Sequence, residues 1–222
     1  MMFKRIIVFV LFCQTLMAQN EITSNLGDFN EIKSYRGLTV KLVKSDEQKI
    51  VIKGEKASDV IVKNINGVLK ITMSIIETFS AEQANVTIYY KNIDILDANE
   101  GSKITSDKVF EQNKLTAKSQ EGGIIEVEIK TEFLDVKAIT GGIVKLKGTS
   151  TNQNVIVNSG GNYYGDHLVS EYTNVSASTG SNCVVNATKM IDANAKIGAT
   201  ITVKGDPKEI KKAESLGGYV RF

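Results

Sequence analysis

Apolar residues alternate with polar ones along most of this chain, and from residue 98 onward the alternation is packaged in units of about 19 residues. A glycine marks each unit, at Gly101, Gly122, Gly141, Gly160, Gly180, Gly198 and Gly217. The residue that follows is always small: Ser102, Gly123, Gly142, Gly161, Ser181, Ala199 and Gly218. Three residues past each glycine stand Ile104, Ile125, Val144, Tyr163, Cys183, Ile201 and Val220, an almost wholly apolar column. A second apolar pair recurs at Leu115/Ala117, Leu134/Val136, Val155/Val157, Val175/Ala177 and Ile191/Ala193.

A short period with alternating segments is the mark of a solenoid, in which no unit buries its apolar face without its neighbours. The segments are β-like, since 124–129 and 143–146 alternate apolar with charged residues. Stacked strands lie about 4.8 Å apart, so seven coils make a rod about 30 Å long. Glycine supplies the left-handed backbone of a tight corner, and a small neighbour thins the wall there. Crossover chirality favours the right hand. The expected fold is all-β: a right-handed parallel β-helix or β-solenoid of about seven C-terminal coils, preceded by a smaller β section.

That division gives three parts, a leader at 1–18, an N-terminal β section at 19–97 and the glycine-repeat solenoid at 98–222. The leader has a basic start at Lys4 and Arg5, an apolar run over 6–16 and Ala18 before the expected cleavage point. Its apolar run is short for a bilayer span. Cys13 follows the bulky Phe12, which argues against lipidation. In the second part, strands are expected over 38–43, 49–53, 60–62, 68–72 and 86–89, with a tight turn at Asn66-Gly67. These strands lack the small-residue corner column and form either an antiparallel unit or irregular first coils. In both cases they cap one end of the stack. Near the C-terminus, 205–214 reads as a brief helical or looped excursion before a last strand.

Charge narrows the partners. Removing Lys4 and Arg5 leaves 25 basic against 25 acidic residues, so the exported chain has no basic field for nucleic acid or anionic lipid. Arg36 and Arg221 are its only arginines, which disfavours phosphate recognition by a guanidinium fork. Cys183 is its only cysteine; its place in the apolar column marks it as a small buried hydrophobe.

Candidate chemistry is sparse. Glu126 and Glu128 alternate with Ile125, Val127 and Ile129, so they belong to an outward strand face rather than to a converging acid–base pair. His167, the single histidine, has no second ligand for zinc and no nucleophile beside it. The glycine-rich stretch 160–167 departs from a calcium-binding nonapeptide at Tyr163 and reads as a loop at a coil corner. The glycine doublets lack the Lys-Ser/Thr of a phosphate loop. No catalytic, cofactor-binding or metal-binding residue is therefore nominated. Tyr163 fills the inward column, so Tyr164 faces out; with Asn162 and Asp166 it is the candidate ligand contact, suited to stacking on a sugar ring. Asn154, Asn158, Asn162, Asn174, Asn182, Asn186 and Asn194 recur at coil positions where amides can stack in ladders.

Several stretches carry a family resemblance: Asp28-Phe29 through Ile32 with the Val40/Leu42 strand, the Asn66-Gly67-x-Leu69-x-Ile71 hairpin, Tyr90-x-Asn92-Ile93, the Gly-Gly coils and the Gly205-Asp-Pro-Lys-Glu-Ile tail. Together they resemble the putative auto-transporter adhesin (head GIN) domain family of exported proteins from Bacteroidetes-type bacteria. The resemblance covers nearly the whole exported chain and implies export and an adhesive role. The reading is an exported, non-enzymatic β-solenoid at the cell envelope that binds a cell-surface protein or glycan, or another copy of itself, through a β face. It is expected in the periplasm, at the outer-membrane surface or secreted. The alternatives are a carbohydrate-active β-helix enzyme and a structural assembly module.

Overall fold

The computed structural model describes residues 21–76, 81 and 83–222; the leader expected at 1–18, with Cys13, lies outside them. Among the described residues seventeen strands form one continuous sheet that winds around an apolar core, and there is no α-helix. Each repeat has a four-residue corner joining two walls. Wall A runs into the corner and wall B leaves it. Strands β11 (Ile124–Ile139), β12 (Ile143–Asn158), β13 (Asn162–Ala177) and β14 (Asn182–Lys196) each leave one corner along wall B, round a bend near mid-strand and enter the next corner along wall A. Each coil is thus one long bent strand rather than the two short segments that the alternation suggested.

The apolar columns found in the sequence are true registers. Ile104, Ile125, Val144, Tyr163, Cys183, Ile201 and Val220 are successive partners in parallel pairs, and all are buried. On wall A the line is Leu96, Ala117, Val136, Val155, Val175 and Ala193. An apolar side chain at each level meets its equivalents above and below, so burial is continuous along the axis and stability is shared between neighbouring coils.

The corners explain the glycine column. At each of the seven, two consecutive residues have positive φ, for example Glu121 (52°) with Gly122 (74°) and Thr140 (50°) with Gly141 (72°). This is the backbone of a type I′ turn. The turns also bond to one another: Gly101, Gly122, Gly141 and Gly160 donate their N–H to the carbonyls of Glu121, Thr140, Ser159 and Thr179 in the next coil. The small residue after the glycine has a different cause. A Cβ on Gly142 would stand 2.2 Å from the Ser119 carbonyl oxygen, and one on Gly123 or Gly161 equally close to that of Ala98 or Ala138. Where serine takes this place, its hydroxyl donates to the corresponding carbonyl: Ser102 Oγ to Ser34 O at 2.8 Å and Ser181 Oγ to Val157 O at 3.1 Å.

The N-terminal strands resolve the two alternatives in an unexpected way. β2 (Glu31–Ser34) and β3 (Thr39–Lys44) form a coil with a corner at Arg36-Gly37, and this coil stacks in parallel on β8 (Ile95–Ala98) and β9 (Lys103–Ser106). Its other side carries β6 (Val68–Met73) and β7 (Asn85–Tyr90), also parallel. The layer order is therefore β6/β7, β2/β3, β8/β9, which is not the order of the chain. Beyond β6/β7 the pairing turns antiparallel, with β5 (Val60–Ile65) on β6, β4 (Lys49–Lys53) on β7 and β1 (Glu21–Asn25) on β4. Gly37 stands at a corner of the same backbone type but is followed by bulky Leu38; in the layer stacked on it, β6 and β7 are joined by residues 74–84 and not by a four-residue corner.

Two expectations need correcting. Residues 209–215 are not helical or looped: β16 (Glu209–Ser215) pairs in parallel with β14, and β17 (Tyr219–Arg221) with β15 (Thr200–Lys204). Tertiary pairing there overrides the weak β-propensity of a Glu- and Lys-rich segment. The stretch 160–167 is not a corner loop either. The corner ends at Gly161, and β13 starts at Asn162.

Candidate functional site

A bulge in β13 falls just after two of the nominated residues, Asn162 and Tyr164, and contains the third, Asp166. Lys145 of β12 is opposite Tyr164, but Lys147 is opposite His167, so β13 carries one extra residue there. The cause is in the core. Tyr163 occupies a column otherwise held by aliphatic residues and Cys183, and its ring needs room: a Cβ on Gly165 would come within 2.5 Å of its hydroxyl oxygen. Gln153 Nε2 donates to that hydroxyl, and the Gln153 oxygen accepts from Ser170 Oγ at 3.2 Å and Thr173 Oγ1 at 3.3 Å. A buried phenol is thereby satisfied. Burial pushes its pKa well above the ordinary tyrosine value, and burial likewise pushes the Cys183 thiol up, so neither group is a nucleophile. The Cys183 expectation holds.

Outside this core Tyr164, in register ahead of the bulge, and Asp166, within it, line a shallow open groove of about 510 Å³ across wall B. Tyr164 is exposed, as its position next to an inward Tyr163 requires. The groove runs over four coils, from Lys103 through Glu126 and Glu128, then Lys145 and Lys147, to Tyr164, Asp166 and His167. Asn162 lies apart from it. Its amide donates to Gly160 O at 3.0 Å and its oxygen accepts from Asn182 Nδ2 at 3.4 Å, one rung of the expected amide ladder. Asn154 and Asn174 are also in register, while the Asn154 amide donates to Asp135 at 3.4 Å.

The groove charges neutralise one another between coils. Lys103 Nζ is 3.0 Å from Glu126, and Lys147 Nζ is 2.9 Å from Glu128. The hydrogen bond and charge of Lys103, helped by Lys145, hold the Glu126 carboxyl below the usual carboxylate range. A general acid needs the opposite shift. Asp166 lies 3.3 Å from the largely exposed His167. The lysines were not singled out from the sequence. The signal was present all the same: counting four and six residues from each corner glycine puts Glu126 beside Lys145 and Glu128 beside Lys147. Both arginines among the described residues are occupied elsewhere, Arg36 by Met73 O and Glu100, Arg221 by Thr202 Oγ1. Among the described residues no three His, Cys, Asp or Glu side chains converge as a metal site would require.

Fold and groove together define a two-walled β-solenoid whose distinctive chemistry lies on its outer faces. The chain belongs to the family described as putative auto-transporter adhesin, head GIN domain, which matches residues 28–207. Solved structures share the fold. A putative adhesin from Bacteroides fragilis NCTC 9343 superposes with a TM-score of 0.83 at 17% identity, covering 93% of this chain and 98% of its own. A putative lipid binding protein from Parabacteroides distasonis ATCC 8503 gives 0.67 at 15% identity, with coverage of 91% and 96%. A putative adhesin from Parabacteroides merdae ATCC 43184 gives 0.62 at 14% identity, with coverage of 91% and 95%. No curated protein matches the sequence.

Proposed function

We propose that this protein is an exported, non-enzymatic binding module of the cell envelope, adhesin-like, which recognises a cell-surface protein or glycan through the outward side chains of its walls. The observation that carries this reading is the state of the wall B groove. Its two central carboxylates, Glu126 and Glu128, are paired with lysines of adjacent coils, on a backbone fixed by stacked corners. Such an arrangement offers a rigid pattern of charges and one exposed aromatic ring, which suits recognition, and Lys103 shifts the Glu126 carboxyl downward, away from the raised value a glycan-cleaving acid needs. Tyr164 and Asp166 are the proposed contacts in the groove, with Asn162 at its margin. Membership of an adhesin family supports the same role, and the basic-then-apolar start of the chain supports export. Among the described residues no helix is long and apolar enough to cross a membrane.

The test is a sedimentation assay of purified protein with cells from mixed bacterial and epithelial sources, run beside a reducing-sugar assay on cell-wall polysaccharides. Saturable binding that weakens in Tyr164→Ala, with no sugar release, is the expected result. Release of sugar that is lost in Glu126→Gln or Glu128→Gln would replace binding by catalysis.

A further inference from the structure

Wall A carries a second pattern, which the groove does not use. One outward column there is Phe133, Asn152, Tyr172 and Met190, successive partners across three parallel pairs. Phe133 is 43% exposed and Tyr172 41%, large values for aromatic rings in mid-sheet. They are two layers apart, so at about 4.8 Å per layer they stand about 10 Å apart along the axis. The next column holds Asp135, Asn154 and Asn174. Among the described residues the side-chain amides of Asn152 and Asn174 have no protein hydrogen-bond partner. Lys189 lies 5.4 Å from the centroid of the Tyr172 ring and 2.6 Å from Glu171, which restrains the ring. Both columns border one shallow groove of about 540 Å³.

We propose that this column is a binding platform for a neutral, extended polysaccharide lying along the solenoid axis. Sugar rings present apolar C–H faces, which stack on aromatic rings, and a rim of hydroxyls, which need amide or carboxylate partners. Wall A supplies both, in alternation: a ring, an amide, a ring, with a polar column alongside. An extended β-linked chain repeats its ring orientation at every second sugar, a length close to two layers of the stack. The platform is close to neutral, because Lys114 pairs with Asp135 at 3.3 Å and Lys189 with Glu171, so a polyanion gains nothing there. A peptide is poorly served. The strands beneath are paired on both edges, so no main chain is free for strand addition, and Asn152 splits the apolar surface that a protein hot spot would need. The platform rests on the reading of the walls as recognition surfaces, and it adds a ligand class and a site separate from the wall B groove.

Native gels containing hydroxyethylcellulose, galactomannan or xylan test it directly. At least one of these should retard the purified protein. Phe133→Ala and Tyr172→Ala should each weaken the retardation about tenfold or more, Tyr172→Phe should keep most of it, and Tyr219→Ala, an exposed aromatic off the column, should migrate as the parent does. All three positions are exposed, and circular dichroism will confirm that the four variants fold. Retardation by none of the three polymers, or retardation unchanged in both alanine variants, overturns the platform. Cell binding that persists while polysaccharide binding is absent overturns the platform and leaves the adhesive role standing; loss of both removes the broader reading as well.

Discussion

At each corner two adjacent glycines do different work. Gly141 has φ 72° and open space where a Cβ would sit, whereas Gly142 has a Ser119 carbonyl oxygen only 2.2 Å from that point. Gly141→Ala should therefore cost about 1–2 kcal/mol, the price of a left-handed alanine. Gly142→Ala should cost roughly 3 kcal/mol or more, because backbone has to move. Urea unfolding followed by circular dichroism should rank them in that order, and equal losses would refute the steric account. The corner columns were legible because the first place is glycine in every coil and the second is always small, Gly, Ser or Ala. The preceding positive-φ positions were not, since Glu121, Thr140, Ser159, Ile197 and Leu216 share no side-chain character.

Asp97 is the buried charge at the seam between the β2/β3 layer and the first glycine-marked coil. Burial raises its pKa above the ordinary 3.8, against the opposing effects of the Asn99 amide at 3.0 Å and of Lys33 at 3.8 Å. A raised carboxyl means that the folded state prefers the protonated form, so the ionised group costs stability. That cost is absent below about pH 3.8 and grows as pH rises through the folded-state value. Asp97→Asn should accordingly raise the thermal midpoint near pH 7, and the gain should vanish below about pH 3.8. A loss of stability at neutral pH would show instead that Lys33 outweighs burial.

Among elements, β16 shows how the stack ends. Its inward positions continue the wall A columns, yet where Ala193 and Ala195 stand one layer earlier it carries Lys212 and Glu214, 3.6 Å apart and exposed. Inward charge on a terminal strand discourages another sheet from adding to it. Replacing both, as Lys212→Val with Glu214→Val, should create an apolar open end, and light scattering should show a mass that rises with concentration above that of the parent. No change in mass would mean that the end is guarded by something else. The same charges hid β16 from the sequence, because a strand with no buried face has no alternation to read. The order of layers was hidden for another reason: β2/β3 and β6/β7 have similar apolar patterns, and only long-range pairing decides which of them meets β8/β9.

For the whole molecule, the seven glycine corners, the core columns and the outward face of Tyr164 could be read from spacing alone, since a solenoid repeats its environment at every turn. The wall B groove and the wall A column needed the register, because their residues lie on different coils and become neighbours only when the coils stack. A rigid stack with patterned outer walls is useful as an adhesin only where those walls meet other surfaces. The most direct measurement is protease shaving of intact producing cells, followed with an antibody against the solenoid and with an internal protein as control. Loss of the solenoid signal while the control survives is expected. Full protection of the solenoid until the cells are opened would contradict a role at the surface.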